Sequence, residues 1–293
     1  MSRHGGSMTM RLKDAASLKD TVAVVTGASR GAGRGIARVL GEQGATVYVT
    51  GRSTRKDGSP LGRPETIEDT AEEVTARGGT GIPVRVDHTD QAQVAELFAR
   101  VERERGRLDL LVSNAWGGYE RSLDVHPFWE LDITHFDLMV SAGYRAHLLT
   151  AQHAAPLLRS TRNGLVLFTT WAVGDNYHGN LFYDTVKTAI NRIPLGVNAD
   201  LREYGVTALA LSPGWLGHTI ERMDLPAEEV AKTESIEFVG RAVAALAADP
   251  DVARHGGGLM TVVEAAAEYG FTDIDGRTTT GFWEKWLATG TFP

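Results

Sequence analysis

TVAVVTGASRGAG, residues 21 to 33, decides how this chain is read. Thr21 to Thr26 is a short β-branched apolar run of the kind that forms a buried parallel strand. It passes directly into Gly27-Ala28-Ser29-Arg30-Gly31-Ala32-Gly33, and a helical pattern then continues to about Gln43. A strand, a glycine-rich turn and a helix N-terminus together form a phosphate cradle. The glycines let the backbone approach a pyrophosphate, and the helix dipole favours its charge. The spacing is G-x-x-x-G-x-G, where the commoner dinucleotide fingerprint is G-x-G-x-x-G. A glycine turn alone is weak evidence. With a strand before it and a helix after it, dinucleotide binding ranks ahead of a merely structural turn.

Outward from this turn, Ala45 to Thr50 (ATVYVT) is the second strand, and the residues after it select the cofactor. An acidic residue there would hydrogen-bond the ribose diol of NAD. This strand ends instead in Gly51-Arg52-Ser53-Thr54-Arg55-Lys56, without a carboxylate. Arg52, with Ser53 beside it, is suited to meet a 2′-phosphate as a fork, and Arg30 closes from the other side. The cofactor expected is therefore NADP(H). The competing account, solvated surface arginines, suits Arg55 and Lys56 better than Arg52. Residues 53 to 64 (STRKDGSPLGRP) read as a flap over the adenosine end.

Glu65 to Arg77 is helical, and Gly81 to Asp87 is the third strand. Asp87 is placed against the adenine, while Thr89 or Asp90 caps the next helix. His88 is grouped with this cofactor edge, although the sequence names no partner for it. Leu108 to Ser113 is the fourth strand, ending in Asn114-Ala115-Trp116-Gly117-Gly118. Residues 119 to 135 are an aromatic and histidine-rich connection, read as part of a substrate wall. The spacings of His126, His135, His147 and His153 match no familiar metal-ligand set, so no metal is assigned.

A helix is expected over about Thr134 to Leu158, and a fifth strand over Asn163 to Thr170. The helix that follows carries Tyr183 to Lys187 (YDTVK) and runs to about Tyr204. Tyr183 and Lys187 are four residues apart and so share a helix face. A phenol ordinarily titrates near pH ~10. A neighbouring lysine cation and a charged nicotinamide would favour the phenolate and make a proton donor and acceptor usable near neutral pH. Y-x-x-x-K also arises by chance on exposed helix faces, so its neighbours must decide. Val206 to Leu211 is the sixth strand, ending in Ser212-Pro213-Gly214, and residues 215 to 233 read as a lid with a short helix. Ser235 to Ala248 is helix, and Gly258 to Val263 is the last strand.

Strands alternating with helices imply an α/β fold: a Rossmann-type doubly wound parallel sheet flanked by helices. It is read as a single domain over residues 21 to 293, after a loose leader at 1 to 20. The glycine turn, Asn114, Thr170 and Pro213-Gly214 all follow strands and therefore collect on one sheet edge, where ligands bind.

The length of 293 residues fits one large α/β domain. The chain has no cysteine, which excludes disulfides, thiolate catalysis and cysteine-ligated zinc and suits a cytoplasmic enzyme. A net charge of −7 argues against a nucleic-acid or anionic-membrane partner. No apolar run reaches the length of a membrane span, and the first twenty residues lack the apolar core of a signal peptide.

In this order, TGASRGAG at 26–33, NA at 114–115, YDTVK at 183–187 and SPG at 212–214 resemble the short-chain dehydrogenase/reductase family over about residues 20 to 263. FWE at 128–130, AGYRAH at 142–147 and YGFTDIDGR at 269–277 resemble, within it, the branch typified by dehydrogenase/reductase family member 1. The resemblance implies hydride transfer between a nicotinamide and a carbonyl or alcohol carbon. It makes Tyr183 the general acid in reduction, gives Lys187 the nicotinamide ribose and the lowering of the tyrosine pKa, and has Thr170 hydrogen-bond the substrate oxygen. Gly27, Ser29, Arg30, Gly31, Ala32 and Gly33 then form the pyrophosphate turn. Asp87 meets the adenine, and Asn114 and Ala115 the nicotinamide-side ribose. Pro213 and Gly214 shape the nicotinamide pocket, followed by Trp215, Leu216 and Thr219. A homodimer or homotetramer through helices 134–158 and 183–204 is also implied.

Three departures from the family pattern stand out. Thr170 replaces the usual serine, keeping the hydroxyl but restricting its rotamers. Gly143 stands where the family has a helix asparagine that anchors a water leading to the lysine. An open or kinked turn is expected there, with proton return through water alone or a neighbour such as His147. Thr219 falls one residue late for its carboxamide contact. Trp116, Trp171, Tyr177, Phe182 and Trp215 flank the site; they fit either an apolar or ring-bearing substrate, or ordinary core and subunit contacts. Two other functions stay open: a non-redox isomerase or lyase on the same tyrosine, and an NADP-binding regulatory protein whose catalysis has faded.

Overall fold

Short apolar runs without interior polar residues become strands buried on both faces. β1 (Val22–Val25) is buried at every position, and so are β4 (Leu110–Ser113), β5 (Leu165–Thr169) and β6 (Thr207–Ser212). The computed structural model describes residues 17–121, 125–172, 177, 179–217 and 232–278. The sheet is completed by β2 (Thr46–Gly51), β3 (Thr80–Arg85) and β7 (Leu259–Thr261). All seven strands are parallel, in the order β3-β2-β1-β4-β5-β6-β7. The order reverses direction between β1 and β4, which opens the crevice where doubly wound sheets bind ligands.

The period-two alternation of strand side chains divides the core in two. Val22 and Val24 face one cluster, with Leu97, Phe98, Leu158 and Ile190. Ala23 and Val25 face the other, with Ile36, Leu40, Val74 and Phe238. The first face is covered by α3 (Gln91–Arg105), α5 (Ala146–Thr161) and α6 (Leu181–Leu201). The second is covered by α1 (Gly31–Glu42), α2 (Ile67–Ala76), α7 (Ile236–Ala248) and α8 (Val262–Tyr269). Each fully buried aliphatic or aromatic side chain contributes about 1.5–3 kcal/mol. On the second face α1 and α7 touch backbone to backbone: a Cβ on Gly35 would lie 1.7 Å from the Ile236 carbonyl oxygen.

Element ends follow their caps. Thr66 forms a capping box with Asp69 at the start of α2, and Asp90, of the two candidates, caps α3. The single helix expected over Thr134 to Leu158 is instead α4 (Ile133–Met139), a π-helical stretch (Val140–Arg145) and α5. The opening expected at Gly143 is this π turn. The expected lid at 215–233 and the segment carrying Thr219 lie largely outside the described residues, as do the leader to residue 16 and the chain beyond 278.

Candidate active site

The sheet edge is drawn together at the end of β1. Thr26 Oγ1 accepts hydrogen bonds from the Asn114 and Ala115 amides at 2.7 and 2.8 Å. Asn114 Nδ2 donates to the Thr26 carbonyl at 2.9 Å, and its Oδ1 accepts from Thr169 at 3.0 Å. The Asn114 side chain therefore ties β1, β4 and β5 together and is not turned toward a ribose. Gly27 has φ +64°, and a Cβ there would lie 2.9 Å from Ala115 Cα. A Cβ on Gly33 would lie 2.5 Å from the Gly27 carbonyl oxygen. Only glycine fits this turn. α1 then starts without a side-chain cap and without an acidic residue in its first turn, which leaves its amides for an anion.

Beside that terminus, Arg30 Nη2 donates to Ser53 at 2.7 Å and to Ser59 at 3.0 Å, while its Nη1 is buried without a partner. Burial lowers the Arg30 pKa from its ordinary value. A guanidinium with a dry, unsatisfied N–H, flanked by two hydroxyls, fits an anionic oxygen. Ala28 and Ser29, between β1 and α1, are buried, and the Ala28 amide donates to the Thr50 carbonyl at 2.9 Å. Arg52 does not join this group. It is paired with Glu120, a residue of the turn after β4. Arg55 pairs with Asp69 and Glu72 at the surface, as expected for a solvated arginine.

Asp87 accepts from the Thr89 amide at 2.9 Å and from its hydroxyl at 2.7 Å. Burial disfavours its charge, but these bonds outweigh it and hold the carboxyl below the usual range. His88 requires a correction. It is buried, with Nε2 2.7 Å from Thr50 Oγ1 and Nδ1 3.1 Å from Thr150 Oγ1, so its side chain is a strut between β2 and α5 and not a cofactor contact. Burial pushes it down to about 4, so the strut is neutral at physiological pH.

Tyr183 and Lys187 of the YDTVK stretch lie at the head of α6, whose start is fixed by Asn180 Oδ1 accepting from the Tyr183 amide at 3.0 Å. Tyr183 and Lys187 are both buried. Lys187 Nζ lies 3.6 Å from the centre of the Trp116 ring and 5.4 Å from that of Tyr183. The indole is wedged between two glycines: a Cβ on Gly118 or on Gly143 would each come within 2.4 Å of it. Gly143 is thus required because Trp116 fills the place a side chain would take, and the π turn opens around it. Burial pushes Lys187 down to about 7. The expectation that lysine pulls the tyrosine down is not met in the protein alone. Burial, then the charge and hydrogen bond of Tyr119, raise Tyr183 well above its usual value.

Tyr119 was not singled out from the sequence. Its hydroxyl lies 3.1 Å from that of Tyr183, and the two rings stack at 6.3 Å. The residue as a whole is 40% exposed, and desolvation raises the pKa of its hydroxyl. The only hint in the sequence was its place in the aromatic connection five residues after Asn114. Thr170 also departs from expectation. Its hydroxyl donates to Asn191 Oδ1 at 2.6 Å and lies 3.4 Å from the Lys187 carbonyl oxygen. Asn191 in turn donates through Nδ2 to the Trp171 carbonyl at 3.0 Å.

Gly214 donates its amide to Glu234 at 2.8 Å, and the Glu234 amide donates to the Trp215 carbonyl at 2.8 Å. Trp215 and Leu216 are buried next to this junction, after Pro213. His147 sits 3.3 Å from Ser113, and burial, helped by Lys187, pushes it down to about 3, so its ring is neutral near physiological pH. His135 Nε2 pairs with the Gly118 carbonyl at 2.8 Å.

Residues 21–229 match the family model described as short chain dehydrogenase. The chain is 35% identical over 278 residues to dehydrogenase/reductase SDR family member 1 of Mus musculus, covering 89% of this chain and 86% of that one. The Homo sapiens protein of the same name is 33% identical, with 90% and 86% covered. Among solved structures, a short chain dehydrogenase of Mycobacterium thermoresistibile shares the fold with a TM-score of 0.76 at 23% identity, over 88% of this chain and 90% of that one. A short chain dehydrogenase of Burkholderia cenocepacia, solved in complex with NADP, does so with a TM-score of 0.69 at 24% identity, over 84% and 97%.

Proposed function

The chain belongs to the short-chain dehydrogenase family, and on that premise we propose that it is an NADP(H)-dependent oxidoreductase acting on a carbonyl or secondary alcohol, with Tyr183 as general acid and base. The observation that carries the cofactor half is Arg30: a buried, unpartnered Nη1 beside Ser53 and Ser59 at the mouth of an uncapped helix. This group fits a 2′-phosphate better than a ribose diol, which would call for a carboxylate after β2. Gly27, Gly31 and Gly33 would hold the pyrophosphate, and Lys187 the nicotinamide ribose. When bound, the cofactor supplies or takes the hydride.

The chain's own residues do the rest. Trp116, locked between Gly118 and Gly143, holds the Lys187 ammonium over its π face. Tyr183 gives its phenolic proton to the carbonyl oxygen as the carbon is reduced. The rings of Trp116, Tyr119 and Tyr183 lie within 5.8 to 6.3 Å of one another and support an apolar or cyclic substrate. Leu148 on α5 and Leu181 and Leu195 on α6 are exposed, which supports a homodimer or homotetramer built through these helices.

Fluorescence titration with NADPH and NADH tests the cofactor assignment. NADPH should bind more tightly, and Arg30→Ala should weaken NADPH about 10- to 100-fold, the worth of a charged hydrogen bond, with little effect on NADH. Equal affinities that are unchanged in Arg30→Ala would contradict it. Product formed without net NADPH consumption would favour an isomerase or lyase.

A further inference from the structure

We propose that Tyr119 is a catalytic residue that supplies, beside Tyr183, the second hydroxyl holding the substrate's carbonyl oxygen; this rests on the oxidoreductase reading above.

Thr170 has a single hydroxyl proton, and it is already assigned. Asn191 uses Nδ2 for the Trp171 carbonyl, so its Oδ1 faces Thr170 as an acceptor, at 2.6 Å. A hydroxyl has one proton to donate, and this one is directed away from the reacting oxygen. Tyr119 is placed to replace it. Its hydroxyl is 3.1 Å from Tyr183's, and two donors at that separation both reach an oxygen about 2.8 Å from each.

Its position is held from several sides. Its ring stacks on Tyr183 and meets the Trp116 edge at 6.0 Å. It lies in the 3-10 turn Gly118–Glu120, which is fastened by His135 at the Gly118 carbonyl and by Arg52 at Glu120. This assigns Arg52 a role that its sequence position did not reveal: it anchors the turn that carries Tyr119.

In the reduction, the carbonyl carbon receives hydride and the π electrons move onto oxygen. The Tyr183 proton completes the alcohol. Tyr119 keeps its proton and donates a hydrogen bond that strengthens as the oxygen gains charge.

The test compares Tyr119→Phe, Thr170→Val and Tyr183→Phe, each first titrated with NADPH to show that the cofactor site is intact. Steady-state reduction of aromatic ketones and quinones should lose about 100-fold in kcat in Tyr119→Phe, the usual effect of removing one such donor, with KM changed little. A second readout needs no turnover. The infrared carbonyl band of acetophenone bound with NADP⁺, which has no hydride to give, should lie at lower frequency in wild type and Thr170→Val than in Tyr119→Phe. Wild-type kcat in Tyr119→Phe, or a carbonyl band that moves in Thr170→Val and not in Tyr119→Phe, would overturn the proposal. If Tyr183→Phe alone is inactive, the Tyr119 role fails and the reductase reading stands. A wild-type chain that binds no NADPH removes both.

Discussion

At Lys187 the environment sets the charge. Burial pushes its pKa down to about 7, and the π face of Trp116 is its close neighbour. An unfolded lysine titrates near ~10.4, so between about pH 7 and pH 10 the unfolded chain binds more protons than the folded one. Stability contributed by this group therefore rises with pH across that window, by at most about 1.4 kcal/mol per pH unit. The cofactor-free protein should gain thermal stability from pH 7 toward 9, and Lys187→Met should flatten that rise. Parallel pH–Tm curves for the two proteins would show that the ammonium is not desolvated. His88 and His147 lie on the same buried side, both neutral at this pH, so neither competes with Lys187 as a charge.

Among the elements, the segment from α4 to α5 shows what periodicity reveals and what it omits. The helical pattern of Thr134 to Leu158 was legible, as was the weak point at Gly143. The reason for that weak point was not, because the indole filling the gap comes from a loop 27 residues earlier in the chain. Loop residues carry no periodic signal, and so Tyr119 was hidden in the same way. The partners of Thr170 and Arg52 were hidden for a different reason. Residue type sets what a side chain can bond, but Asn191 and Glu120, which complete those bonds, are brought near only by the fold. A direct prediction follows for the π turn. Gly143→Asn, which restores the family's usual residue, should destabilise the protein by about 1–3 kcal/mol through overpacking against Trp116. Gly143→Asn combined with Trp116→Ala should recover part of that loss in a urea melt. A stable Gly143→Asn single variant would mean that the indole is free to move aside.

At the scale of the whole molecule, the sheet order was the most legible feature. Apolar runs bounded by glycine turns, alternating with helices, allow few topologies, and the parallel seven-stranded order is one of them. That order places the ends of β1, β4 and β5 side by side. The bonds among Thr26, Asn114 and Thr169 convert the placement into a rigid floor. Arg30 follows β1 directly, and the hydroxyl pair of Tyr119 and Tyr183 comes from the segments after β4 and β5. The turn Gly118–Glu120 is held by Arg52 at Glu120 and brings Tyr119 to Tyr183. We propose that Arg30 and the Tyr183 hydroxyl serve one hydride transfer. Its most direct test is NADPH consumption measured against alcohol formed, with an aromatic ketone or quinone, for wild type and Tyr183→Phe. Wild type should form one alcohol per NADPH oxidised, and Tyr183→Phe should show no turnover despite unchanged NADPH binding. Turnover at the wild-type rate in Tyr183→Phe would contradict it.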